Sequence, residues 1–453
     1  MAVDRSQLPT PGPTRPARFP AIEKSTLANG LRVWTVRHPS IPVVTMMLLV
    51  RRGAADDPIG KEGLAAITVD MMDEGSGERS AIQVHEELAR LGAQLDSDIS
   101  ADAVVLTITA LSRFTVPALT LLADITAHPS LHVADFERVR QLRRHRLAQL
   151  RDMPGAVADR AFVRLLYGSH PYGHTPLGRD RALSDLTVED VRAFHREMMR
   201  PFDATLVVSG DCRHDDVLRF AADAFSGWTG GASDSTRRVA PLPEPPRLNI
   251  IPRPGAPQSE LRIGHVAVAR DTPDYHALVA ANMVLGGQFA SRINLNLREG
   301  KGLTYGARTS FDFRRMAGPF SLQVSVQTAG TAVAIHEALD EIAAIRGPRP
   351  VSTDELALGV ATLTRGYPRN FETADQVARA ATQIALYDLP DDYFVEFVPR
   401  VERITAGDIT RVAAQHLDPA RLITLVVGDY DTLAGDLDRL DLGPPSVLAA
   451  DTF

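Results

Sequence analysis

At 453 residues the chain is too long for one ordinary core, and 44% hydrophobic with 23% charged residues excludes a disordered or fibrous protein. A formal net charge of −7 supplies no electrostatic drive toward nucleic acid or an anionic bilayer. Cys212 is the single cysteine, which excludes an intrachain disulfide, and no apolar run approaches the roughly 20 residues that span a bilayer, so membrane insertion is not expected.

Residues 1–21 carry Pro9, Pro11, Pro13, Pro16 and Pro20 but no apolar segment, and read as an extended tail without a signal peptide. A cytoplasmic location is the default expectation, a periplasmic one if a signal has been removed. Leu31 to Arg37 and Val43 to Val50 read as strands, and the Asn29-Gly30, Pro39 and Pro42 punctuation suggests an opening hairpin. Gly63 to Asp73 reads as a helix. Ser80, followed by Gln83, marks the capped start of another, whose apolar side holds Ile82, Val84, Leu88 and Leu91. Val104, Leu106 and Ile108 alternate as in a strand. Phe136, Val139, Leu142, Leu147 and Leu150 recur at helical spacing, which predicts a long amphipathic helix over Asp135 to Asp152. Its arginines, Arg138, Arg140, Arg143, Arg144 and Arg146, form either a salt-bridged face or a surface that attracts acidic peptides. This order of elements is α+β.

An internal repeat sets the domain organisation. Thr187-x-x-Asp190, then Val207-Val208-Ser209-Gly210-Asp211, recurs 218 residues later as Thr405-x-x-Asp408, then Val426-Val427-Gly428-Asp429. Each copy is a capped helix start leading to a β-branched strand that ends at Gly-Asp. Two homologous domains follow, over 22–229 and 247–437. Between them 230–246 has linker composition, closing with Pro241, Pro243, Pro245 and Pro246, and 438–453 is left as a C-terminal tail.

Several segments together identify a resemblance. They are Leu27-Ala-Asn-Gly-Leu-Arg-Val33, Gly168-Ser-His-Pro-Tyr-Gly-His174, Arg200-Pro-Phe-Asp-Ala-Thr-Leu-Val-Val-Ser-Gly210, Leu285-Gly-Gly287, Ser291-Arg292, and Leu297-Arg-Glu-Gly-Lys-Gly-Leu-Thr-Tyr305. Over 22–435 the chain resembles the pitrilysin, or insulinase-type, zinc peptidases, in their mitochondrial-processing-peptidase-like branch. The resemblance implies two homologous domains, each a mainly antiparallel mixed sheet covered by helices, joined as half of a clamshell.

Active members carry H-x-x-E-H on the first long helix, where two imidazoles on one face bind zinc and the Glu polarises the attacking water. Alignment through the flanking glycines puts Ala66 and Asp70 at the histidine positions and Val69 at the glutamate. The third ligand position falls near Arg143, Arg144, His145 and Arg146. No zinc is expected in this chain. His170 and His174 sit four apart, but Pro171 and Gly173 between them favour a loop shaped by packing over a metal site. Asp70, Asp73 and Glu74 fit an acid-rich helix end better than a metal cluster. Gly286 and Gly287, lacking a G-K-S/T ending, fit close packing better than a phosphate loop.

Arg298 and Tyr305 are retained. In the family this pair contacts substrate, Arg as a forked donor to a peptide carbonyl and Tyr as a donor near the developing oxyanion. The alternative is a salt bridge from Arg298 to Glu299 and a half-buried Tyr305. The resemblance therefore implies a non-catalytic, substrate-binding subunit of a heterodimeric metallopeptidase acting on unfolded peptides, with zinc in a homologous partner chain. A structural scaffold subunit, or a peptide-binding module without peptidase activity, are the other classes it allows.

Overall fold

A computed structural model describes residues 18–231 and 241–449; residues 1–17 of the expected tail, 232–240 of the expected linker and 450–453 lie outside the described residues. The strands of the first half are β1 (Ile22–Thr26), β2 (Arg32–Arg37), β3 (Val43–Val50), the short pair β4 (Gly75–Ser76) and β5 (Arg79–Ser80), β6 (Gln94–Ile99), β7 (Val104–Leu111) and β8 (Ala204–Gly210). The second half has β9 (Leu248–Pro252), β10 (Gln258–Val266), β11 (Ala307–Phe311), β12 (Pro319–Gln327), β13 (Ile423–Gly428) and β14 (Ser446–Val447). The two large sheets run β1-β2-β8-β3-β7-β6 and β11-β12-β10-β13-β9-β14.

The repeat seen in two short motifs extends to five strands of each large sheet; the sixth differs, β1 pairing antiparallel with β2 and β14 parallel with β9. β8 lies between β2 and β3, parallel to the first and antiparallel to the second; β13 lies in the same way between β9 and β10. Antiparallel pairing then continues outward through β7 and β6, or β12 and β11. Both copies of the helix start form reciprocal caps, Thr187 with Asp190 and Thr405 with Asp408. The Gly-Asp ending has a steric cause in each half. A Cβ on Gly210, which has φ +127, would fall 2.1 Å from the Val43 carbonyl oxygen, and one on Gly428 would fall 2.5 Å from Ser259 Oγ.

The expected opening hairpin does not form, because β8 separates β2 from β3. β8 is buried along its whole length and so belongs at a sheet centre. Residues 38–42 need bridge only two strand spacings, roughly 10 Å, which five residues span easily. The segment read as a C-terminal tail supplies β14, paired in parallel with β9. The Ser80 cap forms, and Val84, Leu88 and Leu91 are buried beneath it, but Ile82 is 71% exposed. The long helix spans Val133–Arg151 and buries Phe136, Val139 and Leu147, whereas Leu142 stays 57% exposed.

Each sheet has one face on its own half's core and the other on a helix from the opposite half. Trp34, Val36, Met47, Leu49 and Val207 of the first sheet pack against Val377, Ala378, Ala381 and Ile384 on the helix Ala374–Tyr387. Reciprocally, Ile251, Ile423, Leu425 and Val427 of the second sheet pack against Val157, Ala158, Ala161 and Phe162 on the helix Pro154–Tyr167. These two helices correspond in the repeat. With both faces covered, β3 reads as a nearly continuous apolar run, VVTMMLLV, interrupted only by the buried Thr45, and not as an alternating one.

Candidate functional site

The helix Leu64–Asp70 is positioned from outside itself. Asp57 accepts hydrogen bonds from the amides of Gly63 and Ala65, 2.7 Å each, and pairs at 3.0 Å with His174 Nε2. Burial pushes the Asp57 carboxyl above its usual range, and the His174 contact opposes that. Ala66 and Val69 point into the core and carry no donor atoms. Asp70 accepts from Arg143 Nε at 2.6 Å, with side chains 42% and 12% exposed, so an ion pair joins this helix to Val133–Arg151. These residues do not fit zinc: two of the three aligned positions are apolar, and the third is held by a cation. Among the described residues no group of three or more His, Cys, Asp or Glu is arranged to hold a metal.

The loop from Gly168 to His174 is built by packing. His170 Nδ1 accepts from the Tyr172 amide, and its ring lies 5.3 Å from that of Tyr172. The Tyr172 hydroxyl donates to Asp102 at 2.6 Å and accepts from the Met316 amide at 3.1 Å, while Asp102 accepts from the Arg315 amide. The loop thus ties the first half to the second. His174 is engaged with Asp57, and although both histidines line one hollow of about 410 Å³, they are not part of any group of three metal-ligating side chains among the described residues.

Arg298 lies on a helical turn, Leu295–Gly300, with its guanidinium carbon 4.1 Å from the ring centroid of Phe289. Its Nε is 3.5 Å from Glu299 Oε1, a long surface contact of little energetic consequence. Tyr305 is 93% exposed, not half-buried. Its backbone is nonetheless pinned on both sides. Thr304 Oγ1 lies 2.7 Å from the Ser325 carbonyl and accepts from the Gly306 amide, and Asn294 exchanges two hydrogen bonds with the backbone of Ala307, at 2.7 and 2.8 Å. The Leu303 amide donates to the Leu297 carbonyl at 2.9 Å, linking the Tyr305 loop to the Arg298 turn. Phe289 and Asn294 fall between the matching segments and carried no sequence signal of their own. Gly286 is closely packed, since a Cβ there would fall 2.6 Å from Thr309 Oγ1.

Arg292 anchors this segment from below. Its guanidinium is buried and donates to both oxygens of Glu355, at 2.6 and 2.8 Å, and to the carbonyls of Arg349 and Pro350. Those bonds hold the Glu355 carboxyl down at about 2. A carboxyl depressed in the folded state stabilises fully above its unfolded pKa, roughly 4.3, and that stabilisation fades as pH falls from there toward 2. We expect acid to loosen the Arg298–Tyr305 segment in that window. Hydrogen exchange over 291–307 that rises between pH 4.5 and 2.5 in the wild type, with Glu355→Gln already elevated at pH 7, is the expected result; an unchanged profile in the variant refutes it.

The arginines of the helix Val133–Arg151 are largely neutralised: Arg138 pairs with Glu74, Arg140 with Glu137, Arg143 with Asp70 and Arg144 with Asp180.

Residues 32–178 match the family model described as Insulinase (Peptidase family M16), and 185–363 match Peptidase M16 inactive domain, together well over half of the chain. The chain is 25% identical over 321 residues, 70% of its length and 72% of the relative's, to an uncharacterized zinc protease of Mycobacterium tuberculosis. It is 25% identical to a probable mitochondrial-processing peptidase subunit beta of Schizosaccharomyces pombe, covering 59% of each chain. Among solved structures, a peptidase M16 inactive domain from Pseudomonas fluorescens superposes with a TM-score of 0.84 at 22% identity, covering 90% of this chain and 97% of that one. A protease from Helicobacter pylori gives 0.82 at 19% identity, covering 90% and 99%.

Proposed function

We propose, on the premise that this chain belongs to the insulinase (M16) peptidase family, that it is a non-catalytic subunit holding unfolded peptide against the zinc of a homologous partner chain. In this reading the domains 22–229 and 247–437 form half of a clamshell, and the partner forms the other half. Ala66, Val69 and Asp70 stand at degenerate zinc positions, and the Asp70–Arg143 pair takes the place of the metal as a bridge between two helices. Arg298 supplies a forked donor to a peptide carbonyl, and Tyr305 a phenolic donor to the oxygen that gains charge when a partner's zinc-bound water attacks.

The observation that carries this reading is Tyr305, whose side chain is almost wholly in solvent while its loop is fixed by Thr304 and Asn294. A rigid loop presenting an unpaired phenol suits preorganised donation and contributes little to the chain's own packing. A structural scaffold has no use for it.

The test is reconstitution. After dialysis the isolated chain is expected to hold no stoichiometric zinc and to cleave no unstructured peptide in a chelator-sensitive way. Added to a homologous chain with intact H-x-x-E-H, it is expected to raise that chain's cleavage rate. About one zinc per chain, or full activity of the zinc-bearing chain without this one, contradicts the assignment.

A further inference from the structure

The arginines that the sequence singles out are mostly paired, Arg146 excepted, and the next helix carries further arginines without an acidic partner. Arg160 and Arg164 stand four residues apart on Pro154–Tyr167 and so share a helix face. Arg179 reaches the same place from the start of the helix Asp180–Asp185. All three line one small recess with Gly173, His174 and Thr175. Among the described residues none of the three has an acidic group within salt-bridge distance, and the side chains of Arg160 and Arg179 make no hydrogen bond. Arg164 donates to the Gly168 carbonyl.

The nearby acids are already engaged or too few. Asp180 is taken by Arg144 at 2.8 Å and Arg151 at 3.8 Å, and Asp57 by His174 and two amides. Glu62 offsets Arg164 only in part. Burial, then Arg151 and Arg179, push the Arg160 guanidinium below its ordinary range, and burial and Arg179 act likewise on Arg164. Like charges crowded in a partly desolvated recess raise the energy of the free chain, and a bound anion would relieve it. The recess, about 20 Å³, admits roughly one oxygen-sized group, while Arg151 also lines a broader hollow of about 300 Å³ with Arg144 and His145. The site adjoins the Asp70–Arg143 pair, because Arg143 Nη1 lies 3.5 Å from the Pro176 carbonyl on the intervening loop.

We propose that Arg160, Arg164 and Arg179 form a carboxylate-binding site that selects acidic peptide. The proposal rests on the reading of this chain as a peptide-holding subunit and adds its substrate class. Planar guanidinium forks match carboxylate geometry, and the absence of acid partners among the described residues leaves their donors available. The carboxylate comes from a glutamate or aspartate side chain or from a peptide C-terminus.

Three unstructured peptides differing only in Glu against Gln content and in a free or amidated C-terminus separate the sources, with binding to the full chain followed by fluorescence anisotropy. We expect the Glu-rich peptide to bind more tightly than the Gln peptide, and Arg160→Gln or Arg179→Gln to weaken it about ten- to a hundredfold, the scale of a lost charge-assisted hydrogen bond. The Gln peptide is expected to be unaffected. The Tm of each variant is expected to be unchanged or raised, since no internal hydrogen bond is lost and repulsion falls; a purely structural arginine would lower it. Loss on amidation alone, sensitive to the same variants, supports the site and assigns it to a C-terminus. Equal affinity for all three peptides, or an acidic preference that survives in the Arg160→Gln/Arg179→Gln double variant, overturns it. So does competition by inorganic phosphate without any peptide discrimination. Peptides bound equally but weakened by Arg298→Ala would remove this site and leave the subunit reading intact.

Discussion

Tyr305→Phe, in a complex reconstituted with a zinc-bearing partner, is expected to lower kcat by roughly ten- to a thousandfold, the scale of losing one oxyanion donor. The substitution removes a single hydroxyl from a side chain that is 93% exposed, so neither the fold nor assembly has reason to change. KM is expected to move little, because the donor acts on charge that appears only as the tetrahedral centre forms. Arg298→Ala behaves differently. A charged fork that positions the peptide contributes to ground state and transition state alike, so KM rises as well. The loss also frees the ring of Phe289, now under the guanidinium at 4.1 Å. Steady-state kinetics with sedimentation of the same samples separates the signatures. Wild-type turnover from the double variant, in an intact heterodimer, would falsify the role assigned to this pair.

The second large effect is on stability. Phe162→Ala removes a buried ring from the helix that covers the opposite sheet and is expected to cost about 3–5 kcal/mol. That is a large share of the 5–15 kcal/mol that typically separates folded from unfolded states. Although Phe162 belongs to the first half, the lost contacts are with Ile423, Leu425 and Val427 of the second. The reciprocal cover by Val377, Ala381 and Ile384 makes each half a part of the other's core. We expect one cooperative transition, with amides of β3, β8, β10 and β13 losing exchange protection together and earlier in the variant. Two resolved transitions, with only the first half shifted, would contradict this coupling. For the same reason residues 18–231 expressed alone are expected to aggregate, as Trp34, Met47, Leu49 and Val207 would face water.

What could be read from the sequence was local or repeated. The capping boxes at Ser80, Thr187 and Thr405 depend on residues three apart, and each forms. The 218-residue repeat foretold two like sheets because it sampled the same buried central strand twice. Long-range pairing was less legible. Nothing in β2 and β3 announces that β8, more than 150 residues later, inserts between them. Helical spacing placed Ile82 and Leu142 on apolar faces whose other members are buried or half-buried, but these two side chains themselves stand in solvent. At the site, absent donors at Ala66 and Val69 could be read directly, whereas the Asp70–Arg143 pair needed the contact between two helices. The basic run on Val133–Arg151 drew attention by its density, yet density attracts acids. The unpaired cations are sparse in sequence and meet only in space.

The Asp70–Arg143 pair also constrains how this lineage can change. Asp70→His by itself strands a mostly buried guanidinium, and Arg143→Glu by itself sets two carboxylates against each other, each a destabilised intermediate. If the alignment that underlies the proposed function holds, a metal-binding chain would need Asp70 and Arg143 to change together, along with Ala66 and Val69. On the proposed non-catalytic reading the pair works as an evolutionary ratchet: once formed, it would make a loss of hydrolysis easy to keep and hard to reverse, and leave selection to act on what the chain can hold.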